Sequence, residues 1–193
     1  MSALEAIVLA AGVGRRMGGA KALLMVDGVP LVMRHVAALR LAGVERPTVV
    51  VRPEVARRLG GVELVVAETR SPAESLAAGA RHLCARLGGL GERSVLITPV
   101  DMQPVDPRTM DALAFALTDD VMVTTPASGH PVLIRGEALA PYLAGDAPPP
   151  LCDVLHRLEP FRRRVHVEDD AAMSDFNTPA DLLRVFHVTP QFA

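Results

Sequence analysis

The chain has little with which to stack bases, staple itself or cross a membrane. Among 193 residues there is no tryptophan, one tyrosine and five phenylalanines, too few aromatic faces for a single-stranded nucleic-acid platform. A net charge of −2 leaves no basic footprint for nucleic acid or an anionic bilayer. Cys84 and Cys152 are the only cysteines, too few and too far apart for a disulfide scaffold or a zinc site. Each reads as a small buried residue in a reducing compartment. No apolar run is long enough to span a bilayer, and Glu5 followed by a short apolar run into glycines is not a signal peptide. Internal repeats and low-complexity segments are lacking too. Since half the residues are apolar, a soluble cytoplasmic globule with one domain over 1–193 is expected.

What is present starts at Leu9-Ala-Ala-Gly-Val-Gly-Arg-Arg-Met-Gly-Gly-Ala-Lys21. The apolar run Ala6–Ala10 ends in a loop of four glycines interleaved with Arg15, Arg16 and Lys21. Glycines let backbone N–H groups approach an anion, and the three cations add charge suited to phosphate. The spacing is not a dinucleotide fingerprint, because Met17 stands where a third glycine belongs. Nor is it a Walker loop, because Gly19-Ala20-Lys21-Ala22 misplaces the lysine and lacks the magnesium-binding hydroxyl. The next helix signal is Asp27-Gly28-Val29-Pro30, with Pro30 suited to a first helical turn, so the loop is long, from about Ala11 to Gly28.

Strands are expected at Ala6–Ala10, Thr48–Arg52, Glu63–Ala67, Ser94–Thr98, Val121–Thr125, Pro131–Ile134 and Phe161–Val167. Helices are expected near Leu31–Leu41, Pro53–Leu59, Ser75–Leu87 and Pro107–Leu117, and after Thr178-Pro179. Val32, Val36, Leu39 and Ala42 or Gly43 form the core stripe of the first helix. Gly145–Pro150 is a proline-rich connector that reads as a surface loop and a candidate to face substrate, and Arg162-Arg163-Arg164 reads as a solvated basic face. This alternation predicts an α/β fold: three layers, with a mostly parallel twisted sheet and helices on both faces. The ligand crevice then lies beyond the carboxyl ends of the strands, where the glycine loop sits.

Ser94–Asp101 drives a strand toward Asp101. A carboxylate facing phosphates calls for a magnesium ion between them; the alternative role, a helix cap before Pro107, suits Asp106 better. Asp175 and Asn177, two apart and on one side of an extended segment, are candidates to complete the metal site, or are turn formers before the Thr178 helix.

The loop from Leu9 to Lys21 resembles the L-A-A-G-x-G-x-R-[MF]-G-x-x-K motif of the molybdenum cofactor nucleotidyltransferase family, the MobA/MocA-like NTP transferases. The likeness continues through Asp27-Gly28-Val29-Pro30-Leu31, Ser75-Leu76-Ala77-Ala78-Gly79, Pro99-Val100-Asp101-Met102, Gly129-His130-Pro131-Val132 and Asp175-Phe176-Asn177-Thr178-Pro179. It implies a nucleotide-diphospho-sugar-transferase-like, Rossmann-like fold with a nucleotide half at about 1–106 and an acceptor half at about 107–193. By resemblance, Leu9, Ala10, Ala11 and Gly12 bind the nucleotide, the last three at base and sugar. Gly14 and Arg16 lie on the triphosphate, and Lys21 meets charge at the reacting phosphate. Ser75, Leu76 and Gly79 flank the base, Asp101 holds Mg2+, and His130-Pro131 shapes the acceptor pocket. Relatives often carry aspartate where this chain has Asn177. Ala10-Ala11-Gly12 and Ser75-Leu76-x-x-Gly79 look like the cytidylyltransferase branch, although Ser71-Pro72-Ala73-Glu74 departs from its serine-rich run; guanylyltransferases more often have L-A-G-G.

The implied reaction is transfer of NMP from CTP to molybdopterin or its molybdenum form, with pyrophosphate released. Catalysis rests on Arg16, Lys21 and the magnesium on Asp101. The resemblance also implies a molybdoenzyme or cofactor-insertion chaperone as partner, with no nucleic-acid or membrane partner. Two rivals stand beside it: a transferase for a sugar- or alditol-phosphate acceptor, and a non-catalytic nucleotide-binding cofactor chaperone.

Overall fold

Short β-branched runs buried on both faces set the architecture. The computed structural model describes residues 4–127, 129–167 and 175–193. The chain runs through β1 (Leu4–Leu9), a long loop, the hairpin β2 (Met25–Val26) and β3 (Val29–Pro30), α1 (Leu31–Leu41), β4 (Thr48–Val51) and α2 (Pro53–Ala56). It continues with β5 (Glu63–Val66), α3 (Pro72–Leu87), β6 (Ser94–Pro99), α4 (Pro107–Ala116), β7 (Val123–Pro126) and β8 (Val132–Arg135). Last come α5 (Ala140–Leu143), α6 (Leu151–Arg157), β9 (Arg162–Val165) and α7 (Pro179–Phe186). Seven strands form one sheet in the order β5-β4-β1-β6-β8-β7-β9. Its strand pairs are parallel except those made by β8, which runs against β6 and β7. No helix among the described residues is long and apolar enough to cross a membrane.

Successive strand residues point to opposite faces, and each face meets its own helices. Ala6, Val8, Val49, Val51, Leu96 and Leu133 pack with α1, α4 and α7. Ile7, Val50, Val95, Ile97, Val132 and Ile134 pack with α3, α5 and α6. These are the three layers expected of a mostly parallel α/β sheet. At Gly79 a Cβ would come within 2.7 Å of Ile7 and 3.0 Å of Val50, so glycine lets α3 lie close against β1 and β4. Caps fix the helix starts: Ser71 accepts from the Glu74 N–H at 3.1 Å, Asp106 from the Arg108 N–H at 2.7 Å, and Thr178 forms a reciprocal box with Asp181.

Some expectations need correction. Asp27-Gly28, both at positive φ, turns a hairpin, and Pro30 ends β3 just before α1, because an Asp-Gly pair favours a two-residue hairpin loop. Cys152 is exposed and Cys84 only half-buried. Arg162 is not part of a solvated face: its side chain is 12% exposed and donates to Thr125 Oγ1 at 3.0 Å.

At the end of the sheet away from the glycine loop, Arg86 joins two carboxylates. It lies 2.7 Å from Glu5 and 3.2 Å from Glu63, and Glu63 also meets Arg46 at 2.8 Å and His82 at 2.7 Å. Burial opposes the charge on Glu63, but the His82 hydrogen bond and the charges of Arg86 and Arg46 outweigh it and hold this carboxyl below its usual range. The unfolded chain therefore binds more protons there, and this stabilisation is lost as pH falls through the carboxylate range. Removing the common cation leaves Glu5 and Glu63 less compensated. Arg86→Met is expected to destabilise the fold by about 3 kcal/mol or more at neutral pH, read as a lower urea midpoint; an unchanged midpoint would refute the network's role.

Candidate active site

Strand ends and the loops beyond them build a cleft of about 850 Å³. β1 and β6 are adjacent and parallel, and the strand order reverses between them, the chain going from β1 to β4 on one side of the pair and from β6 to β7 on the other, so their carboxyl ends open a crevice. The loop after β1 forms one wall. Gly14, at φ 61°, starts a 3₁₀ turn over Arg15–Met17, and Lys21–Leu23 forms a second. Met17 is buried and pins the first turn to the core. Arg15 and Arg16 are exposed to the cleft. A Cβ at Gly14 would overlap the Gly19 carbonyl oxygen, and backbone cannot yield as a side chain would. Gly14→Ala is accordingly expected to force the loop to shift, lowering the melting temperature and, through misplaced donors, lowering kcat/KM for the nucleotide by on the order of 10²-fold. Steady-state kinetics beside a thermal melt checks this.

The opposite wall is the link from β5 to α3. Thr69 Oγ1 and Ser75 Oγ are 2.7 Å apart, and Ser75 Oγ also donates to the Ser71 carbonyl at 3.2 Å. Leu76 and Arg70 line the same wall. At the far end stand His130, Pro148, Pro150, Leu151 and Cys152. Burial pushes the His130 ring below its usual pKa, against the pull of Asp101, which favours a neutral imidazole.

The floor is the charged centre. Residues 175–177 are delivered to the end of β6 by a bridge between Met102 and Asp175 and by the Phe176 N–H donating to the Asp101 carbonyl at 3.0 Å. Phe176 is fully buried and meets Phe186 of α7 edge-on, centroids 5.2 Å apart. The Lys21 ammonium donates to Asp101 Oδ2 at 3.1 Å, to the Phe176 carbonyl at 2.8 Å and to Asn177 Oδ1 at 2.8 Å. Asn177 Nδ2 donates in turn to Asp175 Oδ2 at 3.0 Å. Below, the buried His35 Nε2 meets the Met102 carbonyl at 3.0 Å.

Burial pushes the His35 pKa from 6.5 down to about 4, outweighing that hydrogen bond and the Asp101 charge. Between those values the unfolded chain takes up a proton that the folded chain refuses. Stability should therefore fall as pH drops from 6.5 toward 4, by on the order of 3 kcal/mol. Urea unfolding across that range checks this, and His35→Gln should flatten the slope.

Of the residues the sequence pointed to, Leu9, Ala11, Gly12, Gly14, Arg15, Arg16, Lys21, Ser75, Leu76, Asp101, His130, Asp175 and Asn177 all line this cleft. Ala10 is turned into the core, Gly79 of α3 faces Ile7 and Val50 of the sheet, and Pro131 is buried beside His130 without lining the cleft. The Gly145–Pro150 connector, read from the sequence as a candidate substrate-facing loop, brings Pro148 and Pro150 to the cleft, whereas Thr69, Arg70, Ser71, Leu151 and Cys152 were passed over. The rule that singled out the glycine loop, position beyond a strand's carboxyl end, would also have found the residues that follow β5.

The three oxygens around Lys21 converge on one cation, and the carboxylate among them faces the glycine loop. Hard oxygen donors so arranged fit a divalent ion. Among the described residues no three or more His, Cys, Asp or Glu side chains gather as a metal site, here or elsewhere, so the donors here are one carboxylate, one amide and one backbone carbonyl.

The model of the MobA-like NTP transferase domain family matches residues 6–161. Comparison with curated proteins by sequence gives no match. Among solved structures, a nucleotidyl transferase from Methanothermobacter is similar at 24% identity and TM-score 0.74, covering 95% of this chain and 96% of its own. A Mycobacterium tuberculosis protein in complex with manganese is similar at 20% identity and TM-score 0.72, covering 97% and 100%. The molybdopterin-guanine dinucleotide biosynthesis protein A from Archaeoglobus fulgidus is similar at 20% identity and TM-score 0.63, covering 95% and 97%.

Proposed function

This chain belongs to the MobA-like NTP transferase family and is thus a nucleotidyltransferase; we propose that it moves CMP from CTP onto the terminal phosphate of molybdopterin or its molybdenum form. An acceptor phosphate oxygen attacks the α-phosphorus, the bond to the β-phosphate oxygen breaks, and pyrophosphate leaves with the electron pair. The acceptor is already ionised at neutral pH, so no side-chain nucleophile is needed. The observation that carries this reading is one cleft in which Gly12, Gly14, Arg15 and Arg16 face Asp101 and Asn177, with Lys21 between them.

The glycine loop presents backbone N–H groups, and the two arginines give charged donors for the β- and γ-phosphates. Asp101 and Asn177 would hold a divalent ion, magnesium in this reading, with Asp175 behind Asn177; bound there, the ion would draw charge from the α-phosphate. Ala11, Gly12, Ser75 and Leu76 enclose the base, and the Ala-Ala-Gly and Ser-Leu pairs favour cytosine. The wall of His130, Pro148, Leu151 and Cys152 is left for the acceptor.

Pyrophosphate release with magnesium, measured for each NTP against molybdopterin and against sugar and alditol phosphates, tests the proposal. CTP with molybdopterin should be the productive pair. Turnover with GTP instead overturns the base assignment, turnover with a sugar phosphate overturns the acceptor, and nucleotide binding without pyrophosphate under any pairing overturns catalysis.

A further inference from the structure

Lys21 is the only lysine in the chain, against nineteen arginines. A composition so biased toward arginine keeps a lysine where arginine cannot serve. The surroundings show why: three oxygens from Asp101, Phe176 and Asn177 converge at 2.8–3.1 Å, matching the three donors of a compact ammonium and not a planar guanidinium. The Lys21 side chain is only 10% exposed, so those three oxygens, not water, surround its ammonium. All three N–H donors are spent, and none is left for a phosphate.

We propose that Lys21 is the resting counter-cation of the metal site, and that it and a divalent ion are mutually exclusive occupants of the Asp101–Asn177 oxygens. This rests on the reading of those oxygens as the metal ligands. An ion arriving alone must push a buried positive charge out of its only acceptors, so metal binds weakly to the free protein. A nucleotide triphosphate changes the balance, because its oxygens give the displaced ammonium new acceptors. Metal and nucleotide therefore favour each other's binding, and the same lysine that blocks the empty site is delivered to the reacting phosphate when both are present. Asn177 fits this role. Its Nδ2 is held by Asp175 at 3.0 Å, which turns Oδ1 toward the ammonium. An aspartate at 177 would place a second carboxylate against Asp175 and leave the resting site with excess negative charge.

Manganese binding followed by electron paramagnetic resonance, without nucleotide, tests the exclusion. Lys21→Met, similar in length and uncharged, is expected to bind Mn2+ about tenfold or more tighter than the wild type, and adding Asp101→Asn to that variant should abolish the gain. Equal or weaker binding by Lys21→Met overturns the exclusion while leaving the metal site standing. No Mn2+ binding by either protein, with or without CTP, overturns both. A second measurement needs no variant. With 15N-lysine the protein carries a single side-chain nitrogen signal, which should report a slowly exchanging, caged ammonium in metal-free protein and should lose that protection when Mg2+ is raised to saturation. A signal indifferent to saturating Mg2+ overturns the proposal.

Discussion

Asp101→Asn is expected to lower pyrophosphate release by on the order of 10³-fold while the protein stays folded. The carboxylate ends β6 at the floor of the cleft and is the only charged oxygen donor in the Lys21 cage. Asparagine keeps an oxygen in place for the ammonium but removes the charge that would attract a divalent ion. The fold does not depend on that charge: the Asp101 side chain is 35% exposed, and Lys21 retains the Phe176 and Asn177 oxygens. Near-normal magnesium-dependent turnover in a well-folded variant would show that the metal is held elsewhere. Circular dichroism and a melt run alongside the assay separate lost catalysis from lost structure.

The second large effect is expected at Lys21. Lys21→Met should reduce kcat by on the order of 10²-fold or more, with a smaller change in KM for CTP, if, as proposed, the ammonium meets charge that grows at the reacting phosphate and does not seat the nucleotide. The same variant should reach half-maximal rate at a lower metal concentration, since nothing competes for the oxygens. Slower chemistry with tighter metal is a combination that a merely structural lysine would not produce. A raised KM at unchanged kcat would make Lys21 a binding residue, and a raised metal requirement would contradict its place in the resting cage.

Both predictions draw on features of very different legibility. The helix Leu31–Leu41 was readable to the residue because its apolar spacing and flanking Pro30 and Gly43 are local signals. Asp106 and Thr178 were readable as caps for the same reason. The sheet's alternation was visible, and with it the end at which the cleft would open. The Met25–Pro30 hairpin was overlooked because Asp27-Gly28 precedes a proline and a helix, and two competing local signals met there. Helices α5 and α6 lie in a stretch of prolines and short turns where packing on the sheet, through Tyr142 and Leu155, decides what propensity leaves open. The cage around Lys21 was beyond reach, because its oxygens come from positions 80, 155 and 156 residues away. Sequence spacing could mark Lys21, Asp101 and Asn177 as separate candidates, but only the fold shows that they share one charge centre.

The reversed course of β8 has a consequence for how such an enzyme changes. β1, β5 and β6 bring the residues after their carboxyl ends to the cleft, so their contribution comes after a strand is complete. β8 offers its beginning, and His130 enters the cleft from the short connection that joins β7 to it. His130 and the Pro148–Cys152 segment lie outside the β1–β6 pairing, so changes there leave intact the register that sets the glycine loop against Asp101. Under the proposed function, a new acceptor would then be accommodated by changes in that wall alone, while the residues that would handle the triphosphate are inherited untouched.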